Sequence, residues 1–156
     1  MTDRSSSPML WIALAVIIIF VLRHNDVGRA APDFALQGAY GGDYHLDSFR
    51  GKPLLLVFWS TSCGICRHEL PILDGMRTEA ANNGVQIAGV NVGDVEGARE
   101  VMRPLHLLNL VDTDGAAARS YGVSGVPKLV LIGADGKIKH SSAGMVSEQN
   151  LRDWLH

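Results

Sequence analysis

The stretch from Leu54 to Pro71, LLLVFWSTSCGICRHELP, constrains this chain more than any other. Leu54 to Trp59 is an unbroken apolar run of strand length. The small polar loop Ser60-Thr61-Ser62 follows, and then a polar–apolar mixture that predicts the start of a helix. Cys63 and Cys66 stand at that junction, and they are the only two cysteines in 156 residues. A single pair at this spacing is the arrangement that thiol–disulfide exchange uses.

Exchange needs one thiol that attacks and a second that resolves the mixed disulfide. A strand-to-helix junction puts Cys63 at a helix N-terminus, where unpaired backbone N–H groups and the positive end of the helix favour a thiolate. Cys66 lies one turn further in on the same side, so Cys63 is read as the nucleophile and Cys66 as the resolver. Two other readings exist. A zinc site lacks a second ligand pair, and His68 would splay away from the cysteines. A purely structural disulfide would close so small a loop that it would stabilise little. A second motif, Ser124-Gly-Val-Pro127, stands immediately before another apolar run, Lys128 to Ile132. A proline there is expected to be cis, placing Val126 and Pro127 beside the cysteines with backbone free to pair with an extended substrate. An ordinary turn proline is the alternative.

Composition narrows the setting. Charged residues are 19% of the chain, 14 basic against 16 acidic, for a net charge of -2. No basic excess exists to hold a nucleic acid. The length suits one domain plus a tail. The 47% apolar content is inflated by Met9 to Leu22, MLWIALAVIIIFVL, which holds no charge or amide. A clean membrane span needs about 20 apolar residues, so this run is short unless Ser5 to Pro8 contribute near an interface. It reads as an uncleaved anchor or as a signal peptide, with Gly28-Arg29-Ala30 as small residues for cleavage. A buried core helix fits worst, because the run is apolar all round. Arg4 and the amino terminus on one side nearly balance Arg23 and Arg29 on the other, so the charge bias sets no orientation. Residues 1–8 then form a tail, 9–22 the anchor or signal segment, 23–32 a linker and 33–156 the folded domain.

Within that domain, Asp33–Gln37 and Asp43–Leu46 flank a glycine-rich loop and read as a β-hairpin. After the strand Leu54–Trp59, a helix runs to about Asn82, with Pro71 inside it and Asn82-Asn83-Gly84 as its stop. Val85–Asn91 is a second apolar strand. Val95 to about Leu105 reads as a helix, closed before the leucine-rich Leu107–Val111. A short helix reaches Tyr121. Lys128–Ile132 turns back through Ala134–Lys137 into Ile138–Ser141, and Ser147 caps a last helix to Leu155. Apolar strands separated by helices predict an α/β mixed sheet, parallel inside with an antiparallel edge and covered on both faces. This is the plan of a thioredoxin-like fold with an N-terminal hairpin and an inserted αβ unit.

From about Ala31 to Leu155 the chain resembles the membrane-anchored, extracytoplasmic thioredoxin-like proteins of bacteria, the TlpA/ResA and CcmG/DsbE types. The resemblance rests on Leu46 to Trp59, Cys63-Gly-Ile-Cys66-Arg67, Glu69-Leu-Pro71, Gly89-Val-Asn91, Tyr121 to Pro127 and Leu131 to Ile138. It implies Cys63 as exposed nucleophile, Cys66 as buried partner, a redox-active Cys63–Cys66 disulfide and a cis Pro127. It further implies Trp59 beneath the site and Pro71 kinking the first helix. The implied activity is reduction of disulfides in substrate proteins, for example in cytochrome c maturation, with no cofactor and no metal. The implied partners are proteins bearing disulfides or thiols and a membrane electron donor. The implied place is a single-pass position in the bacterial cell membrane with the domain in the periplasm or otherwise outside the cytoplasm.

Four features depart from the family. Ser62 replaces the aromatic usual before the first cysteine, and Gly64-Ile65 lacks the frequent proline. Val57 occupies the position where cytoplasmic thioredoxin keeps a buried acid, so proton removal from Cys66 needs water, a neighbouring group or another acid. Lys128 follows Pro127 where the family more often has Thr or Glu; facing the cysteines it would favour thiolate, and facing solvent it would do nothing. Two alternative functions remain: an oxidant of protein thiols, or a copper-handling chaperone using the thiolates with His68, His106 or His140. Against copper, chaperones of this fold resemble a CxxxC pair. A peroxidase is disfavoured because the Pro/Thr framing before Cys63 is missing.

Overall fold

The computed structural model of the chain describes residues 8–24 and 26–156. Helix α1 spans Pro8–His24, so the apolar run carries Arg23 and His24 with it; the tail expected over 1–8 lies outside the described residues except for Pro8. At 17 residues α1 is about 25 Å long, and no described helix is long and apolar enough to cross a membrane. The hairpin follows as β1 (Ala35–Gly38) and β2 (Asp43–His45), then a 3-10 turn at Leu46–Phe49. Strand β3 (Leu54–Trp59) leads into α2 (Gly64–Asn82), β4 (Gln86–Val92) and α3 (Val95–Met102). The chain closes with β5 (Leu108–Asp112), α4 (Ala116–Ser120), β6 (Lys128–Ile132), β7 (Ile138–Ala143) and α5 (Glu148–Leu155).

The strands form one sheet in the order β2-β1-β5-β4-β3-β6-β7. Strands β3, β4 and β5 are parallel, β6 is antiparallel to β3, and β7 is antiparallel to β6. The hairpin joins the far edge through β1, antiparallel to β5. This is the thioredoxin-like α/β sheet expected, with one addition. Leu107–Val111, left without an element by its pattern, supplies most of β5. Asn109 interrupts its apolar run, and the segment becomes a strand because β1 and β4 offer it ladder partners on both sides.

All six residues of β3 are buried, because alternate side chains enter two different apolar layers. Leu55, Val57 and Trp59 face α2, α3 and α5, meeting Leu70, Leu73, Met102 and Leu151. Leu54, Leu56 and Phe58 face the other layer, with Phe34, Phe49, Ala117 and Tyr121. Caps hold the flanking helices: the Asp94 carboxylate accepts from Glu96 N–H at 3.1 Å and Gly97 N–H at 3.0 Å, and Ser147 Oγ accepts from Asn150 N–H at 3.3 Å. The segment after α1 is also tied down. Gly28 N–H donates to Ile138 O at 2.7 Å, Ile138 N–H to Arg29 O at 2.9 Å, and Ala31 N–H to Gly136 O at 2.9 Å, alongside the start of β7.

Two substitutions separate the contributions of core and cap. Leu56→Ala removes a fully buried side chain from the layer that holds Phe34 and Tyr121 and is expected to lower the unfolding free energy by about 2–5 kcal/mol in urea titrations. Asp94→Ala, which loses only a cap, is expected to cost about 1 kcal/mol in the same measurement.

Candidate active site

The site is built where β3 ends. A tight turn follows the strand, closed by Cys63 N–H donating to Ser60 O at 3.1 Å. Cys63 has extended backbone (φ -85°, ψ 105°) and is the N-cap of α2, and its Sγ accepts from Cys66 N–H at 3.1 Å. Cys63 and Cys66 are joined as a disulfide with their Cα atoms 5.2 Å apart. Cys63 is partly exposed and Cys66 is 1% exposed, so one sulfur is open to a partner and the other is not. When the bond is reduced, the N–H aimed at Cys63 Sγ and the helix end around it favour the thiolate on Cys63.

The second half of the site comes from the loop before β6. The Val126–Pro127 peptide bond is cis, and Val126 O lies 3.7 Å from Cys63 Sγ. Gly144 N–H donates to Pro127 O at 2.8 Å, which extends the β6–β7 ladder to the rim of the site. Trp59 is fully buried in the apolar layer that also takes Cys66 and the packed side of Cys63. Its ring crosses Gly89, where a Cβ would stand 3.1 Å from Trp59 Nε1, so the absence of a side chain at Gly89 makes room for the indole. The structure thus brings Cys63, Cys66, Val126 and Pro127 to one rim with Trp59 in the layer below.

Other candidate residues fall elsewhere. Lys128 faces neither the cysteines nor solvent. It is 8% exposed, and its Nζ donates to Tyr121 O at 2.8 Å and Gly122 O at 3.2 Å, on the α4 side of the sheet. The cause is strand alternation: Leu129 enters the α2 layer, so Lys128 must point to the opposite one. His106 is exposed and pairs with Asp74 at 3.4 Å, and His140 stacks on Trp154 with ring centroids 4.8 Å apart. Neither stands with the cysteines, and among the described residues no group of three or more His, Cys, Asp or Glu could hold a metal ion.

Glu69 is the residue whose place at the site the pattern reading missed. It is 1% exposed, and its Oε1 accepts from Val146 N–H at 3.0 Å, while Oε2 has no partner among the described residues. Burial pushes its carboxyl above the ordinary glutamate range, partly offset by the Val146 N–H and by His68. One turn separates it from Cys66, which puts both on the buried face of α2. The available signal was an acid at that spacing within the apolar stripe Cys66, Leu70, Leu73.

Residues 27–141 match the model of the AhpC/TSA family. Over 132 residues the chain is 31% identical to the thiol-disulfide oxidoreductase ResA of Geobacillus thermodenitrificans, covering 83% of this chain and 76% of the relative. It is 34% identical over 135 residues to the thiol:disulfide interchange protein DsbE of Vibrio cholerae, covering 83% and 71%. Among solved structures, a crystal structure described as a thiol:disulfide interchange protein DsbE from Chlorobium tepidum superposes with a TM-score of 0.75 at 30% identity, covering 84% of this chain and 99% of that one. By fold, cysteine geometry and relatives together, this chain belongs to the AhpC/TSA family and, within it, to the ResA- and DsbE-like thiol–disulfide oxidoreductases.

Proposed function

We propose that this chain reduces disulfides in substrate proteins outside the cytoplasm, held at the bacterial cell membrane by residues 9–22. The observation that carries the chemistry is a partly exposed Cys63 sulfur at the N-cap of α2, bonded to a buried Cys66 and lying against the Val126 carbonyl. In the dithiol form, Cys63 thiolate attacks one sulfur of a substrate disulfide, and the other substrate sulfur leaves as a thiolate. Cys66 then gives up its proton and attacks Cys63 sulfur, releasing the second substrate thiolate and closing the Cys63–Cys66 disulfide. Two electrons have passed to the substrate. A membrane-bound dithiol donor returns them by the same exchange run in the opposite sense. Apocytochrome c is one substrate that the family resemblance implies.

Glu69 is the group suited to take the proton of Cys66. Val57 at the thioredoxin acid position offers none, whereas the Glu69 carboxyl is buried one turn from Cys66 with one oxygen that has no partner among the described residues. Protein substrates are favoured over small ones by the surface. Outside residues 8–27, the exposed large apolar side chains among the described residues are Tyr40, Ile65 and Met145. Ile65 lies between the two cysteines in the chain. Met145 stands between Gly144, bonded to Pro127, and Val146, bonded to Glu69. Two of these three therefore rim the disulfide, where they suit an extended polypeptide.

Reduction of insulin, followed by precipitation of its free chain, tests the activity. Cys63→Ser is expected to abolish it, and Cys66→Ala to accumulate a mixed disulfide visible on non-reducing gels. Wild-type turnover no faster than either variant would sink the proposal, and failure of the full chain to float with liposomes would sink the anchor alone. Glu69→Gln tests the buried acid. A carboxyl raised on folding keeps its proton longer in the native state, so it lowers stability as pH rises from its ordinary value of 4.5 toward neutrality. Urea unfolding across that range is expected to show the variant gaining on wild type as pH increases. A constant difference would contradict the raised carboxyl.

A further inference from the structure

We propose that Lys128 is a positioning residue for the loop that meets the substrate, and that Asp26 is its counter-charge. The segment leaving α1 and the loop carrying Val126 are thereby one mechanical unit. The proposal rests on the reading that Val126 and Pro127 pair with substrate backbone.

The loop needs an external hold. Between α4 and β6 the chain reads Tyr121-Gly-Val-Ser-Gly-Val-Pro127, with two glycines whose backbone freedom is large. Its start is set by the end of α4. Gly122 has φ +62°, Gly122 N–H donates to Arg119 O at 3.0 Å, and Val123 N–H donates to Ala118 O at 2.8 Å, a glycine C-cap that reverses the chain. Its far end is set by β6 and by the Gly144 bond to Pro127. Lys128 joins these two ends directly. Its side chain turns back under the loop, and its ammonium bonds the carbonyls of Tyr121 and Gly122, so residues 121–128 close into a ring through one side chain. On the outer side of that ring, Val126 O stands 3.7 Å from Cys63 Sγ.

A nearly buried ammonium must be paired and must spend its three protons. The two carbonyls accept two, and the third faces Asp26 Oδ2 at 3.4 Å. Asp26 follows two residues after the end of α1 and also pairs with Arg29 at 3.2 Å. Six residues on, Pro32 O accepts from Tyr121 hydroxyl at 2.6 Å, so the same short segment grips the loop's first residue from a second side. Because the ammonium lies on the α4 side of the sheet, it acts on the position of Val126 and not on the charge of Cys63. A substrate segment that pairs with Val126 meets a loop already held in place, and the ordering cost falls on folding instead of on docking.

Insulin reduction by the full-length protein, with KM and kcat separated, tests the proposal beside two controls. The first is the reaction of the dithiol form with a small aromatic disulfide, which needs no backbone pairing. The second is the Cys63 thiolate titration by ultraviolet absorbance. Lys128→Met is expected to raise KM for insulin about fivefold with kcat, the small-disulfide rate and the Cys63 titration unchanged. Lys128→Arg is expected to restore most of the KM, and Asp26→Asn to raise it about twofold. An unchanged insulin KM in Lys128→Met overturns the proposal, as does equal slowing on the small disulfide or a shifted Cys63 titration. If Lys128→Met does not fold, an unchanged KM in Asp26→Asn overturns it. Hydrogen exchange at the Val126 amide, in the mixed disulfide of Cys66→Ala with a cysteine peptide, separates the underlying reading. No slowing there defeats substrate pairing itself. Slowing there with an unchanged Lys128→Met KM defeats only the role of Lys128.

Discussion

Everything at the site depends on a strand that is buried on both faces and ends at the edge of the core. Strand β3 is tied to β4 on one side and β6 on the other, so its position in the sheet is set by two ladders. At its C-terminal end the chain must leave the apolar layers within a few residues. The turn at Ser60–Cys63 and the start of α2 accomplish this. The first cysteine therefore falls where backbone N–H groups have no helical acceptor, and its sulfur supplies one. The second falls one turn deeper, in the core. The difference in exposure between two chemically identical thiols follows from that geometry alone.

The same sheet handles two buried charges in opposite ways. On the α2 side, Glu69 is buried with one oxygen bonded to Val146 N–H and the other without a partner among the described residues, and burial raises its carboxyl. On the α4 side, Lys128 is buried with three oxygen partners, so its charge is spent on holding a loop. A raised carboxyl one turn from Cys66 and an ion pair behind the loop thus stand on opposite faces of the same sheet.

Much of this was legible in the chain. The six apolar residues of β3, the cysteine spacing and the Ser–Gly–Val–Pro segment point to one site because periodicity and junction residues act locally. Leu108–Asp112 was not legible as a strand, since its pattern is interrupted by Asn109 and its partners lie far away in sequence. Sequence alone leaves Lys128 two destinations, the cysteines or solvent. Strand alternation excludes the first, and the carbonyls of Tyr121 and Gly122 provide a third destination that only the folded α4 creates. Glu69 carried a spacing signal, but its burial depends on Val146 arriving from beyond β7.

By itself, then, the sequence determined the redox pair, the strand and helix that present it, and the family to which both belong. Those are matters of local pattern: a buried run, a cap and a spacing that hold wherever the segment is placed. Tertiary structure decided what surrounds the pair, because those contacts join residues remote in the chain. It set Val126 O against Cys63, enclosed Glu69 on the buried face of α2 that carries Cys66, and tied Asp26 to Lys128 on the opposite face of the sheet from the Cys63 sulfur. Long-range packing chooses among the places a polar side chain could go, and no local pattern encodes that choice.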